Sequence, residues 1–132
     1  MNIEILSFTK RPIKPIDIMI LYNDVGWWEE RKEQEIEEML NKVQSVGAWK
    51  DDALIGFARA VSDGKFRAYI EDVVIHSSFR KEGIGTKLVS TLLDELSYID
   101  VISLFSEEQL IPFYEKNNFK NSKSQFVMHR KL

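Results

Sequence analysis

Val73-Val74-Ile75-His76-Ser77-Ser78-Phe79-Arg80-Lys81-Glu82-Gly83-Ile84-Gly85-Thr86-Lys87-Leu88 reads as the end of a buried strand, a short loop, and a helix opened by two glycines. A helix start offers unpaired backbone N–H groups and the positive end of its dipole, which together favour an anion. Gly83 and Gly85 let a phosphate approach the main chain closely, and Arg80 and Lys81 add countercharge. The implied ligand carries phosphates. A Rossmann fingerprint needs a third glycine where Leu88 stands, and the GxxxxGK[ST] of a P-loop is absent.

Working outward, the elements alternate in period, which predicts a mixed α/β domain. Residues 2–8 read as a strand. Pro15 suits the first turn of a helix over about 15–24, apolar on most sides through Ile16, Ile18, Met19, Ile20, Leu21 and Tyr22. A loop with Gly26-Trp27-Trp28 leads to a charged helix over 30–44, with an apolar stripe at Ile36, Met39, Leu40 and Val43. Strands over 46–50, 53–61 and 66–76 form an antiparallel meander, turning at Asp51-Asp52 and at Ser62-Asp63-Gly64-Lys65. In the third of these, Phe66, Ala68 and Ile70 share one face, and strict alternation would put Asp72 there. The apolar run at 73–75 instead predicts a β-bulge near 71–74.

Ile84, Leu88, Val89, Leu92, Leu93 and Leu96 give the helix over 83–97 a wide apolar stripe. Ile99 to Phe105 reads as a buried strand parallel to 66–76. A short helix around 108–117 and a last pair of strands, about 119–122 and 125–130, complete the pattern.

The chain has 132 residues, 44% hydrophobic and 30% charged, with a net charge of −3. That length suits a single domain over 1–132, burying about 65–70% of its unfolded surface. The acidic balance disfavours nucleic acid as partner. The absence of cysteine excludes disulfides, a thiolate nucleophile and Cys-ligated metal. His76 and His129 match no metal-ligand spacing, so no metal is expected. No apolar run reaches a membrane span, and Met1-Asn2-Ile3-Glu4-Ile5-Leu6 lacks the pattern of a secretory leader. Cytoplasm is the expected compartment, with no membrane partner.

Arg80-x-x-Gly83-x-Gly85 resembles the acyl-CoA pyrophosphate motif of the GNAT (Gcn5-related N-acetyltransferase) superfamily. Ile70 to His76 is similar to the family's central strand before that loop. Phe113-Tyr114-Glu115-Lys116-Asn117-Asn118-Phe119 resembles its FYEKxGF segment. Order and spacing match from about residue 45 onward. Ser77 stands where the family often has Pro, and Asn118 where it often has Gly; Asn also tolerates the left-handed conformation of a helix cap.

The resemblance implies a mixed, mainly antiparallel sheet flanked by helices, splayed between the strands at about 66–76 and 99–105. It implies acetyl-CoA as co-substrate, its pantetheine arm along Val73, Val74 and Ile75 and its pyrophosphate on the amides of Arg80, Lys81, Glu82, Gly83, Ile84, Gly85 and Thr86. An amine would attack the thioester directly in a ternary complex. An N–H of Val74 or Ile75 would stabilise the oxyanion, and Tyr114 would protonate the departing thiolate. Glu71 or Asp72 would help deprotonate the amine, Asp72 lying closer to the bulge. Trp27, Trp28, Tyr22 and Phe57 are candidates for the acceptor side, and His76 reads as structural. The implied acceptor is a primary amine of a small molecule or peptide, and the chain a monomer or homodimer. A non-catalytic acyl-CoA-binding sensor or interaction module is the rival reading. A nucleotide-binding α/β protein is a weaker third.

Overall fold

In the computed structural model, which describes residues 2–131, the meander and its neighbours form one five-stranded sheet. Its strands are β1 (Ile3–Ser7), β2 (Gln44–Lys50), β3 (Ala53–Ser62), β4 (Arg67–Ile75) and β5 (Val101–Leu104), adjacent in that order. The first three pairings are antiparallel, and β4 with β5 is parallel. Helices α1 (Pro15–Val25) and α2 (Glu33–Lys42) cover one face, and α3 (Ile84–Glu95) covers the other. A short helix, α4 (Ile111–Glu115), follows β5.

The apolar stripes explain the layers. Leu88, Val89, Leu92 and Leu96 are fully buried, and the α3-side core joins Leu88, Leu92 and Leu96 to Val46, Ala58, Ala60, Ala68 and Ile70. On the other face Ile18, Leu21 and Tyr22 of α1 and Ile36 and Leu40 of α2 pack with Phe57 and Val74. Ile16 and Ile20 are exposed, so α1 is apolar all round in sequence but buried along one side only. Gly26 ends α1 in the left-handed conformation (φ 75°, ψ 28°), and the Trp27 amide donates to the Tyr22 carbonyl at 2.9 Å to close the helix end.

The expected bulge is present. Phe57 pairs with Val74 and Arg59 with Glu71, so Asp72 and Val73 together face the single residue Ala58. Asp72 takes a left-handed φ of 52°. The extra residue turns Asp72 toward α1, beside Glu71, and returns Val73 and Ile75 to the α3-side core. A carboxylate is thereby removed from an apolar layer.

Two expectations fail toward the C-terminus. The strand expected to be buried is an edge strand with alternate residues exposed, because nothing hydrogen-bonds to its outer side among the described residues. The last strand pair, about 119–122 and 125–130, is not formed. Those residues have no ladder, and Phe126, Val127 and Met128 are exposed. An apolar run such as Phe126-Val127-Met128 forms a strand only where a partner edge satisfies the backbone. The helix foreseen over 108–117 is a 3₁₀ turn (Glu108–Leu110) running into α4.

Candidate functional site

The β4–β5 ladder stops at Ile70 and Leu104. From Glu71 to Ile75, β4 keeps its partner on the β3 side only. A cleft of about 570 Å³ opens there, between the unpaired side of β4, the start of α3, and α4. Val73, Val74, Ile75, Arg80, Lys81, Gly83, Ile84, Gly85 and Thr86 line it, as do Trp27, Phe113 and Tyr114. Glu82 alone of the expected loop residues does not; it is exposed. No side chain caps α3, so its first amides are free for an anion. An exposed strand edge leading to an uncapped helix start fits a ligand with an amide-bearing arm and a diphosphate.

The loop between strand and helix is held at both ends. Asp24, at the end of α1, accepts hydrogen bonds from the Ser77 amide (2.8 Å) and hydroxyl (2.9 Å). His76 Nδ1 accepts from the Ser78 amide at 3.1 Å, and its Nε2 lies 3.4 Å from Asp24, in keeping with the structural role expected of it. At the far end the Asn117 side chain donates through Nδ2 to the Thr86 carbonyl at 3.1 Å, tying the end of α4 to α3. Gly85 has a packing reason for being glycine: a Cβ there would lie 2.9 Å from the Phe113 ring. Gly83 has a conformational one, at φ 79°. Gly83→Ala is expected to cost about 1–2 kcal/mol of stability, read by urea unfolding. A cost near zero would show that the loop relaxes freely. Asn118 holds φ 66° after α4, the left-handed cap anticipated for it.

The two carboxylates lie side by side over a buried arginine. Arg59 donates through Nε to Asp72 (2.8 Å) and through Nη2 to Glu71 (3.0 Å). Asp72 Oδ2 also accepts from the Tyr22 hydroxyl (2.8 Å) and from Arg31 Nη1 (3.2 Å). Burial acts to raise the Asp72 carboxyl, but the bond and charge of Arg59, then Tyr22 and Arg31, hold it below the usual carboxylate value. Burial and the Asp72 charge push the Tyr22 phenol up, so it stays a donor.

A depressed folded value means that Asp72 contributes stability above its unfolded value, near pH 4, and loses it as pH falls through the lower folded value. Acid unfolding of wild type should therefore steepen below about pH 4. Asp72→Asn should flatten that limb, and an unchanged profile would show that other groups set it.

The aromatic candidates separate. Tyr114 stands on the cleft wall, its ring packed on Phe113 (centroids 4.8 Å) and Phe119 (6.2 Å). Burial raises its phenol above the ordinary value. It also borders a second hollow of about 800 Å³ between β5 and residues 119–128, which lacks the glycine loop and the uncapped helix. Trp27 faces the cleft, whereas Trp28 is half-exposed beside Arg31. Phe57 is fully buried and offers no surface to an acceptor; the apolar run of β3 did not say which face a helix would cover. Tyr22 is buried too, reaching the site through its hydroxyl.

Arg31, Arg59 and Asp24 were not foreseen, and Phe113 was noted only as part of the segment around Tyr114. Arg59 had a signal: a charge inside the apolar run 54–61 requires a buried counter-charge. Asp24 and Arg31 had none, since their partners lie 53 and 41 residues away.

Residues 13–119 match the acetyltransferase (GNAT) family. The chain is 34% identical over 116 residues to an uncharacterized N-acetyltransferase ycf52 of Porphyra purpurea, covering 86% of this chain and 58% of the relative. It is 38% identical over 73 residues to GCN5-related N-acetyltransferase 2, chloroplastic, of Arabidopsis thaliana, covering 54% of this chain and 28% of that one. The chain thus spans little more than half, or less, of the curated relatives it matches. A probable acetyltransferase of meticillin-resistant Staphylococcus aureus, SA2161, superposes with a TM-score of 0.84 at 18% identity, over 99% of this chain and 100% of that one, a likeness of fold. The chain belongs to the GNAT family.

No group of three potential metal ligands occurs among the described residues. No helix among them is long and apolar enough to cross a membrane.

Proposed function

We propose that this protein transfers an acetyl group from acetyl-CoA to a primary amine of a small molecule or peptide, with residues 1–132 working as a single domain. The observation that carries the reading is the cleft in which the unpaired side of β4, the uncapped start of α3 and Tyr114 meet. The amides from Arg80 to Thr86 hold the diphosphate, with Arg80 and Lys81 screening its charge. The main chain of Val73 to Ile75 pairs with the pantetheine arm. An amide of Val74 or Ile75, freed by the bulge, donates to the oxyanion as the amine attacks, and Tyr114 passes its proton to the departing sulfur.

Of the two carboxylates, Glu71 is the more available base. Asp72 is fixed by three donors and serves to hold the bulge. Without cysteine the chain cannot carry an acyl-cysteine, which supports direct transfer.

Free-thiol release from acetyl-CoA, measured across amines, amino acids and short peptides, tests the proposal. Amine-dependent release is the expected result. Acetyl-CoA binding without release from any amine would favour the non-catalytic module, and no binding would sink both. The cytoplasmic expectation stands beside a plant relative named chloroplastic. Imaging the tagged full-length protein in its own cells separates the two compartments.

A further inference from the structure

We propose that Arg31 fills, from within the chain, a binding site for a second positive charge on the acceptor. The inference rests on the acetyl-transfer reading and narrows it to an amine with another cationic group, of which an alkyl diamine is the simplest.

Trp28 adopts φ 53°, and the Arg31 amide donates to the Trp28 carbonyl at 3.0 Å, so the segment folds back on itself. The Arg31 guanidinium then lies 3.9 Å over the Trp28 ring and 5.9 Å from that of Tyr22, with Nη1 3.2 Å from Asp72 Oδ2. An indole face, a phenol ring and a buried carboxylate are the chemistry that recognises an ammonium or guanidinium group.

The charges show which cation is exchangeable. Two carboxylates, Glu71 and Asp72, face two arginines. Arg59 bridges both carboxylates with its side chain 11% exposed, whereas Arg31 touches only Asp72 and is 28% exposed. If Arg31 swings outward, Asp72 keeps Arg59 and Tyr22, and the cluster carries one uncompensated negative charge. An incoming cation restores neutrality on the same aromatic face.

The site adjoins the cleft, because Trp27 and Val73, chain neighbours of Trp28 and Asp72, both line it. A diamine anchored here by one ammonium would present its other nitrogen toward the cleft.

Calorimetric titration of 1,5-diaminopentane into wild type, Arg31→Ala, and Arg31→Ala with Trp28→Ala tests this. Removing the internal competitor should tighten binding about tenfold, and the added Trp28→Ala should abolish the gain. Arg31→Gln, which keeps the stem, should reproduce the gain should the alanine variant fold poorly. Uncharged 1,5-pentanediol should show none. Equal or weaker diamine binding without Arg31, a gain that survives loss of Trp28, or no binding to any variant would overturn the proposal. Acetyl-CoA titrated into the same wild-type sample reads the acetyl-transfer reading separately: binding there without a diamine gain defeats this inference alone.

Discussion

Tyr114→Phe is expected to lower turnover with acetyl-CoA and an active amine about 10²–10³-fold while leaving acetyl-CoA affinity within about twofold. The substitution deletes one oxygen and keeps the ring that packs on Phe113 and Phe119, so the cleft wall stays in place. The effect should therefore fall on kcat, where a departing thiolate needs a proton. Burial keeps the phenol protonated through neutral pH, so Tyr114 should add no pH dependence below its ordinary value near 10. Turnover unchanged in the variant would remove Tyr114 from the chemistry and leave the thiolate to take its proton from water.

Arg59→Met should destabilise the fold by about 3–5 kcal/mol, because it leaves two adjacent carboxylates without their shared cation. Asp72 has a side chain only 4% exposed, so water cannot readily replace the lost partner. Arg31 alone would then oppose the pair, from one side. Combining Arg59→Met with Asp72→Asn should recover more than about 1 kcal/mol relative to the sum of the single losses, as expected for groups in direct contact. Urea unfolding of the four proteins measures this. A loss below about 1 kcal/mol for Arg59→Met would reduce the cluster to an ordinary surface pair. Acetyl-CoA binding should weaken alongside stability, since the carboxylates that Arg59 gathers lie on the bulge that shapes the cleft edge.

Much of this site was legible in the chain because its parts are local. A strand, a loop and a helix start lie within sixteen consecutive residues, 73–88, and the helix dipole and glycines act within that span. The bulge was legible because a break in alternation at Asp72 can be counted. Tyr114 came from a resemblance over seven residues, since nothing in its own neighbourhood distinguishes a proton donor from a packed ring.

The misreadings share one physical origin. Strand pairing and burial depend on partners distant in the chain. The strand expected over 125–130 finds no edge to pair with, and the apolar run ending at Phe105 became an exposed margin of the sheet. Phe57 read as a candidate contact and lies beneath α1, because the face a strand buries is chosen by the helix that lands on it.

The amino-acid sequence by itself determined the order of elements as far as β5, the glycine loop ahead of α3, the bulge and the family likeness, all carried by residues close together in the chain. Only the tertiary structure decided that Asp72 is a pinned anchor, that Arg59 joins the two carboxylates, and that Arg31 reaches them from another layer. Those side chains meet across 12, 13 and 41 residues of chain, and their charges interact only once packing has taken them out of water and set them within hydrogen-bond reach.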